Sequence, residues 1–247
     1  MGRAQIVKLL KIPANLAVMP TPTELGEIAR KILEKSKKLT PARVKANFDM
    51  LLEELLAIEY ICFQEYEKVV NSHKVMTLLG NGALNAKKVQ SKFNDLYGLF
   101  LSMTQSRKAR AGISFESHVT FLFEKLNYPH DAQPIVNGKP DFILPSKAVY
   151  LKQPLSCIVF TVKRTLRERW KQVTTEATKG YKFYLGTIDT GISENQIREA
   201  AKFKIFIVVP ERIKFENPVY ASNYNVISFR EFFEDHVEPE LKKWKKF

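Results

Sequence analysis

Asp141 follows Pro140 at the head of the apolar run Phe142-Ile143-Leu144, and Lys163 closes a second apolar run over residues 157–162. The two stand 22 residues apart. Alternate residues of a strand share a face, so Thr161 and Lys163 point together, away from Ile158, Phe160 and Val162. An aspartate and a lysine presented by adjacent strand ends make a site for phosphodiester hydrolysis. The carboxylate holds Mg²⁺, which polarises a phosphoryl oxygen, and the ammonium stabilises charge or orients the attacking water. A turn aspartate beside a solvated lysine is the competing reading. One aspartate leaves Mg²⁺ short of anionic ligands, and Glu176 is the candidate for the second carboxylate. The helix predicted over residues 166–179 buries Leu166, Trp170, Val173 and Ala177 as one stripe. Glu176 lies beside that stripe, at its sheet-facing edge; a solvated helix glutamate is the alternative.

The first turn of the same predicted helix carries Arg167-Glu168-Arg169. Arginine forks onto guanine O6 and N7, and glutamate accepts from cytosine N4. The triplet can therefore read two adjacent G·C pairs in a major groove, with the glutamate bridging two cytosines. An exposed, internally paired charge cluster is the plainer alternative. Upstream, the run Arg107-Lys108-Ala109-Arg110 offers phosphate or minor-groove contacts through Arg107 and Arg110, with a solvated turn as competitor. The lysine-rich end, residues 242–246, reads as a solvated helix terminus.

The elements that must position these groups fall into two textures. The first hundred residues read as helical: a capping box Thr21…Glu24 with Pro22 opens one helix, and Thr40-Pro41 opens a longer one carrying Phe48, Leu51, Leu52, Leu55 and Leu56. After the break Gly80-Asn81-Gly82 a third is predicted over residues 86–103, and a fourth starts near Ser114. Beyond Tyr128-Pro129, short β-rich runs at 140–144, 157–162, 181–188 and 205–209 alternate with helices, two of them opened by the boxes Ser193…Gln196 and Ser228…Glu231. That alternation implies an α/β core with a mixed central sheet. The expected plan is one unit, residues 1–247, with a helical region at 1–105 and the α/β catalytic core at 106–247.

Composition narrows the partners. The chain has 247 residues, 45% hydrophobic and 26% charged, and carries a net charge of +13. That surplus attracts polyanions, nucleic acid first and anionic membrane second. No stretch of about 18 apolar residues is present to span a bilayer; residues 51–63 come nearest and are interrupted by Glu53, Glu54 and Glu59. The basic-apolar N-terminus lacks a cleavage-site pattern and reads as structure. Cys62 and Cys157 sit inside apolar runs and read as buried free thiols of a reducing, cytoplasmic compartment. No Cys/His set has zinc-ligand spacing.

Asp141 and Lys163 together resemble the PD-(D/E)xK nuclease motif, with one departure: Thr161 stands where that motif has its second acidic residue. The run from Thr161 to Trp170, with Asp141 before it and Glu176 after it, is similar to the EcoRII catalytic-domain, PspGI and SsoII group of type II restriction endonucleases. In that group Ser or Thr replaces the acid and the following helix supplies a glutamate. The spacings are those of its PspGI branch. The resemblance implies a restriction-endonuclease-like core with a mixed sheet flanked by helices. It assigns Asp141 and Glu176 as metal ligands, Lys163 as the catalytic lysine, and Mg²⁺ as cofactor. Arg167, Glu168 and Arg169 would read a CC:GG half-site. A homodimer would then cut a CC(N)GG-type palindrome in double-stranded DNA, leaving 5′ overhangs, beside a cognate cytosine DNA methyltransferase as genetic partner. Glu116 resembles an accessory metal-site residue and equally fits a helix-start glutamate favoured by the helix dipole. Members of the group stack a flipped central base on an aromatic of the helical arm. Phe48, Tyr60, Phe63 and Tyr66 lie in that region here, no motif singles one out, and plain core packing is the alternative for each. Two other functions remain open at this point: a repair or mobile-element nuclease whose arginines touch phosphate, and a DNA-binding protein without catalysis.

Overall fold

Short, largely apolar strands build the sheet. In the computed structural model, which describes residues 1–80, 82–136, 140–166 and 182–244 and their side chains except those of 108–113, six strands lie in chain order. β1 (Asp131–Ala132), β2 (Phe142–Leu144) and β3 (Ile158–Val162) pair antiparallel. β4 (Phe183–Gly186), β5 (Ile205–Val209) and β6 (Val226–Ser228) continue parallel from β3. The sheet is mixed, as expected, and β3 is the strand at which its direction changes.

Both faces of the sheet are covered, so its strands read as near-continuous apolar runs. On one face Val159, Leu185, Ile207 and Val209 pack with Ile197 and Ala200 of the helix Glu194–Lys202 and with Tyr220. The other face is aromatic. Phe142 and Phe160 stack on each other with centroids 5.7 Å apart and on Phe123 at 5.1 and 5.5 Å. Phe48, Phe229, Phe232 and Phe233 extend this cluster. A π-helical stretch, Phe232–Val237, turns adjacent phenylalanines inward together. Both sequence-read boxes cap as expected: Ser193 accepts from Gln196 N and Ser228 from Glu231 N.

Gly186 makes close approach possible on the aromatic face. A Cβ there would meet Phe160 Cζ at 2.7 Å and Val162 Cγ1 at 2.8 Å. Gly186→Ala is therefore expected to destabilise the fold by about 2 kcal/mol through overpacking. A thermal unfolding midpoint lowered by roughly 4–8 °C would check it; an unchanged midpoint would contradict the packing argument.

The helices are α1 (Arg3–Leu9), α2 (Pro22–Ser36), α3 (Pro41–Ala46), α4 (Phe48–Leu79), α5 (Ala86–Ser91), α6 (Phe93–Leu126) and α7 (Lys147–Lys152), before those of the C-terminal part. Thr21 and Glu24 form the expected box on α2. The helix expected from Thr40 is broken at Asn47, whose side-chain amide donates to Arg43 O at 2.9 Å and so closes α3 before α4 begins. The helix expected to start near Ser114 does not start there. α6 runs unbroken through the basic residues 107–110, because Lys, Arg and Ala are good helix formers. The solvated-turn reading of that run and the helix-start reading of Glu116 are both corrected by this.

The chain divides into two compact units, Met1–Lys38 with Glu53–His118 and Leu39–Leu52 with Val119–Phe247. The sequence reading set a division at 105/106, whereas α4 and α6 each contribute to both units. Within the first, α4 and α6 run antiparallel: Glu59 accepts from Ser114 Oγ and pairs with His118 Nε2 at 2.6 Å, and Glu67 takes Arg107 bidentately further along. Cys62 and Cys157 are buried free thiols, and burial pushes them up to about 12 and about 11, which keeps them unreactive.

Candidate active site

The antiparallel register of β2 and β3 puts Phe142 opposite Phe160, and one step before β2 this brings Asp141 against Thr161. Asp141 is buried at 8% exposure, so its carboxylate needs strong donors. Its Oδ2 accepts from Thr161 Oγ1 at 2.8 Å, from Val162 N at 2.6 Å and from Lys163 Nζ at 3.2 Å. Strand alternation explains the arrangement. Phe160 and Val162 go to the aromatic face, while Thr161 and Lys163 share the opposite side and converge on the same oxygen. Lys163 is itself registered by its amide, which donates to Gly186 O at 2.9 Å.

Thr161 thus has a definite task at this strand end. Its hydroxyl donates to Asp141, and a carboxylate in its stead would set two negative charges within hydrogen-bond distance. The strand pair consequently provides one carboxylate, one ammonium and one hydroxyl. Among the described residues no group of three His, Cys, Asp or Glu side chains gathers as a metal site. The hard carboxylate oxygens of Asp141 are of the kind that holds a divalent cation such as Mg²⁺.

The other sequence-derived candidates fall in different places. Glu176 and the triplet Arg167, Glu168 and Arg169 lie outside the described residues, as does the side chain of Arg110. Glu116 is half-buried on α6, in the unit that does not contain Asp141. Arg107 is held by Glu67, its Nε and Nη2 donating at 2.8 and 2.5 Å; this partner raises its already high pKa. Phe48 is stacked on Phe229 in the core, so of the aromatics considered for base stacking Tyr60 is the one that is largely exposed.

Two residues had no signal in the sequence. Thr187 and Asp189, in the turn leaving β4, are buried and bond to the chain just beyond Lys163: Thr187 Oγ1 donates to Arg164 O at 3.3 Å, and Asp189 Oδ2 accepts from Leu166 N at 2.8 Å. Nothing in Thr187-Ile188-Asp189-Thr190-Gly191 distinguishes it from an ordinary turn, and only the parallel pairing of β3 and β4 brings it to the site.

Comparison with known proteins gives one family and a fold. The family model "EcoRII C terminal" matches residues 42–233. The type II restriction enzyme SsoII of Shigella sonnei is 31% identical over 161 residues, covering 60% of this chain and 52% of that protein. The type II restriction enzyme EcoRII of Escherichia coli is 33% identical over 131 residues, covering 51% and 32%. The chain thus spans about half of the first relative's length and about a third of the second's. In fold it is similar to metal-depleted Ecl18kI in complex with uncleaved DNA, with a TM-score of 0.80 at 24% identity over 99% of this chain and 85% of that one. It is also similar to PspGI in complex with substrate DNA, with a TM-score of 0.65 at 21% identity over 91% and 94%.

Proposed function

As the chain belongs to the EcoRII C-terminal family, we propose that it is a type II restriction endonuclease that hydrolyses double-stranded DNA with Mg²⁺ at a CC(N)GG-type palindrome. The observation that carries the reading is the convergence of Thr161, Val162 N and Lys163 on one buried oxygen of Asp141. A carboxylate so held is fixed in one rotamer before any ligand arrives, the preorganisation that electrostatic catalysis needs. Asp141 and Glu176 would hold Mg²⁺, which supplies Lewis-acid polarisation of the scissile phosphate when bound. Lys163, already within 3.2 Å of Asp141, places a positive charge at the same point. There it orients the attacking water and stabilises the charge that builds on the phosphoryl oxygens.

The arginines Arg167 and Arg169 read guanines and Glu168 the paired cytosines, so recognition starts four residues after the catalytic lysine. The net charge of +13 supplies the sequence-independent attraction to phosphate. Digestion of a sequenced plasmid with and without Mg²⁺, followed by end mapping, tests the whole reading. Discrete fragments with 5′ ends at CC…GG sites are expected, whereas a smear would favour a non-specific repair-type nuclease and intact DNA a binding protein without catalysis. A neighbouring gene for a cytosine DNA methyltransferase would agree with the first outcome. Among the described residues no helix is long and apolar enough to cross a membrane.

A palindrome calls for two copies of the chain, one per half-site. Support comes from α6, where Phe93, Tyr97, Phe100 and Leu101, spaced as one helix face, are all exposed. Phe100 also walls an open cleft of about 410 Å³ with Val75 and Met76. Monomers rarely leave contiguous apolar patches beyond about a few hundred Å² in water. A second copy covering this face is the reading's prediction: Phe100→Glu should shift the chain from dimer to monomer in sedimentation velocity. A wild-type monomer, or a variant that stays dimeric, would remove this face from consideration.

A further inference from the structure

Asp189 is a buried carboxylate for which the scheme above has no use. At 9% exposure it accepts from Leu166 N through Oδ2 at 2.8 Å and from Gly191 N through Oδ1 at 2.9 Å. Its carbonyl accepts from the Tyr220 hydroxyl at 2.8 Å, and the Tyr220 hydroxyl oxygen in turn accepts from Ile192 N at 2.9 Å. Thr187, fully buried, adds a further tie, its Oγ1 accepting from Asp189 N at 3.1 Å and donating to Arg164 O at 3.3 Å. With the bond from Lys163 N to Gly186 O, the chain from Lys163 to Leu166 is fastened at three successive points to the residues leaving β4.

The chemistry of the tie is informative. A buried carboxylate is expensive unless its oxygens meet well-directed donors. A hydroxyl or amide oxygen would suffice to satisfy one N–H. A carboxylate that takes the Leu166 amide on one oxygen and the Gly191 amide of its own turn on the other instead ties the Leu166 amide to the 187–191 turn through a side chain held at both oxygens. The turn is in turn anchored in the core by Tyr220. Leu166 is itself 1% exposed, so its side chain and amide are both immobilised. Arg167 is the next residue.

We propose that Asp189 is a positioning residue for sequence discrimination: it fixes the Leu166 amide, and with it the point from which Arg167-Glu168-Arg169 depart, relative to Lys163. This rests on the reading of the triplet as base-contacting. Bidentate contact to a base edge tolerates errors of about half an ångström, so a loosened departure point weakens discrimination before it weakens binding to phosphate.

The test uses the full chain with Asp189→Asn, Asp189→Ala and, as reference, Arg167→Ala. For each, kcat/KM is measured on the mapped cognate duplex and on a duplex with one outer base pair changed. The ratio of the two does not depend on how much of the preparation is folded, since both duplexes meet the same enzyme. Asp189→Ala is expected to lower that ratio about tenfold, the size of one weakened bidentate contact. Asp189→Asn, which keeps one acceptor oxygen and the side-chain shape, should lower it less and carries the test should the alanine variant fail to accumulate. An unchanged ratio in both Asp189 variants, with Arg167→Ala lowering it, overturns the role of Asp189 alone. An unchanged ratio in Arg167→Ala overturns the base-reading assignment and the role of Asp189 with it, as does a wild-type chain that cuts no DNA.

Discussion

Asp141→Ala is expected to abolish Mg²⁺-dependent DNA cleavage while leaving binding to the cognate duplex within a few-fold of wild type. Metal-assisted stabilisation of phosphoryl charge is worth several kcal/mol, and each 1.36 kcal/mol is a factor of ten, so the loss in kcat should be about a thousandfold or more. The structure adds a complication that the sequence did not reveal. Removing the carboxylate orphans the Thr161 hydroxyl, the Val162 amide and the Lys163 ammonium at once, and each unsatisfied buried donor costs about 1–3 kcal/mol of stability. Asp141→Asn separates the two effects, because the amide keeps an acceptor oxygen near Oδ2 but removes the charge. It should unfold closer to wild type than Asp141→Ala and still not cleave. Cleavage by either folded variant at near wild-type rate would end the proposed mechanism.

Glu176→Gln is the second large effect. With Thr161 committed to Asp141, the β2–β3 pair contributes a single carboxylate, and a hard cation with two positive charges needs more anionic oxygen than that. The variant is expected to lose cleavage at about 1 mM Mg²⁺ by two orders of magnitude or more, in keeping with removal of a ligand that supplies several kcal/mol. Part of the activity should return as the Mg²⁺ concentration is raised, since what is lost is affinity for the ion as well as its placement. A titration of rate against Mg²⁺ distinguishes this from a folding defect, which would lower the plateau without moving the midpoint. An unmoved midpoint and plateau would mean that the second carboxylate lies elsewhere, and Glu116 would be tested next by the same titration.

How much of this was legible in the residues depends on the range over which each feature is decided. Asp141 and Lys163 could be paired from sequence because strand alternation is local and both sit at the ends of apolar runs. The capping boxes at Thr21, Ser193 and Ser228 were legible for the same reason, each being settled within four residues. The break at Asn47 and the continuity of α6 were not. The first turns on one side-chain bond to Arg43 O, and the second on a 34-residue helix that runs through Gly98 and Gly112 although each costs about 1 kcal/mol relative to alanine. β1 and β6, with two and three residues, are too short to show a period. Asp189 was invisible because its meaning comes from a strand pairing with residues more than twenty positions earlier in the chain.

The division of the chain has a consequence for how such a protein can vary. Its two units are interleaved in sequence, the backbone passing from one to the other at 38/39, 52/53 and 118/119. No single cut yields either unit whole, so neither can be borrowed, duplicated or deleted as one contiguous cassette. A chimera made by one recombination crossover between two relatives would mix halves of both units. Exchange of the helical unit alone requires two segments to be traded together, with α4 and α6 spliced mid-helix in register. Exchange at a single crossover is therefore a poor route of variation for this architecture, and point substitution is the simpler one.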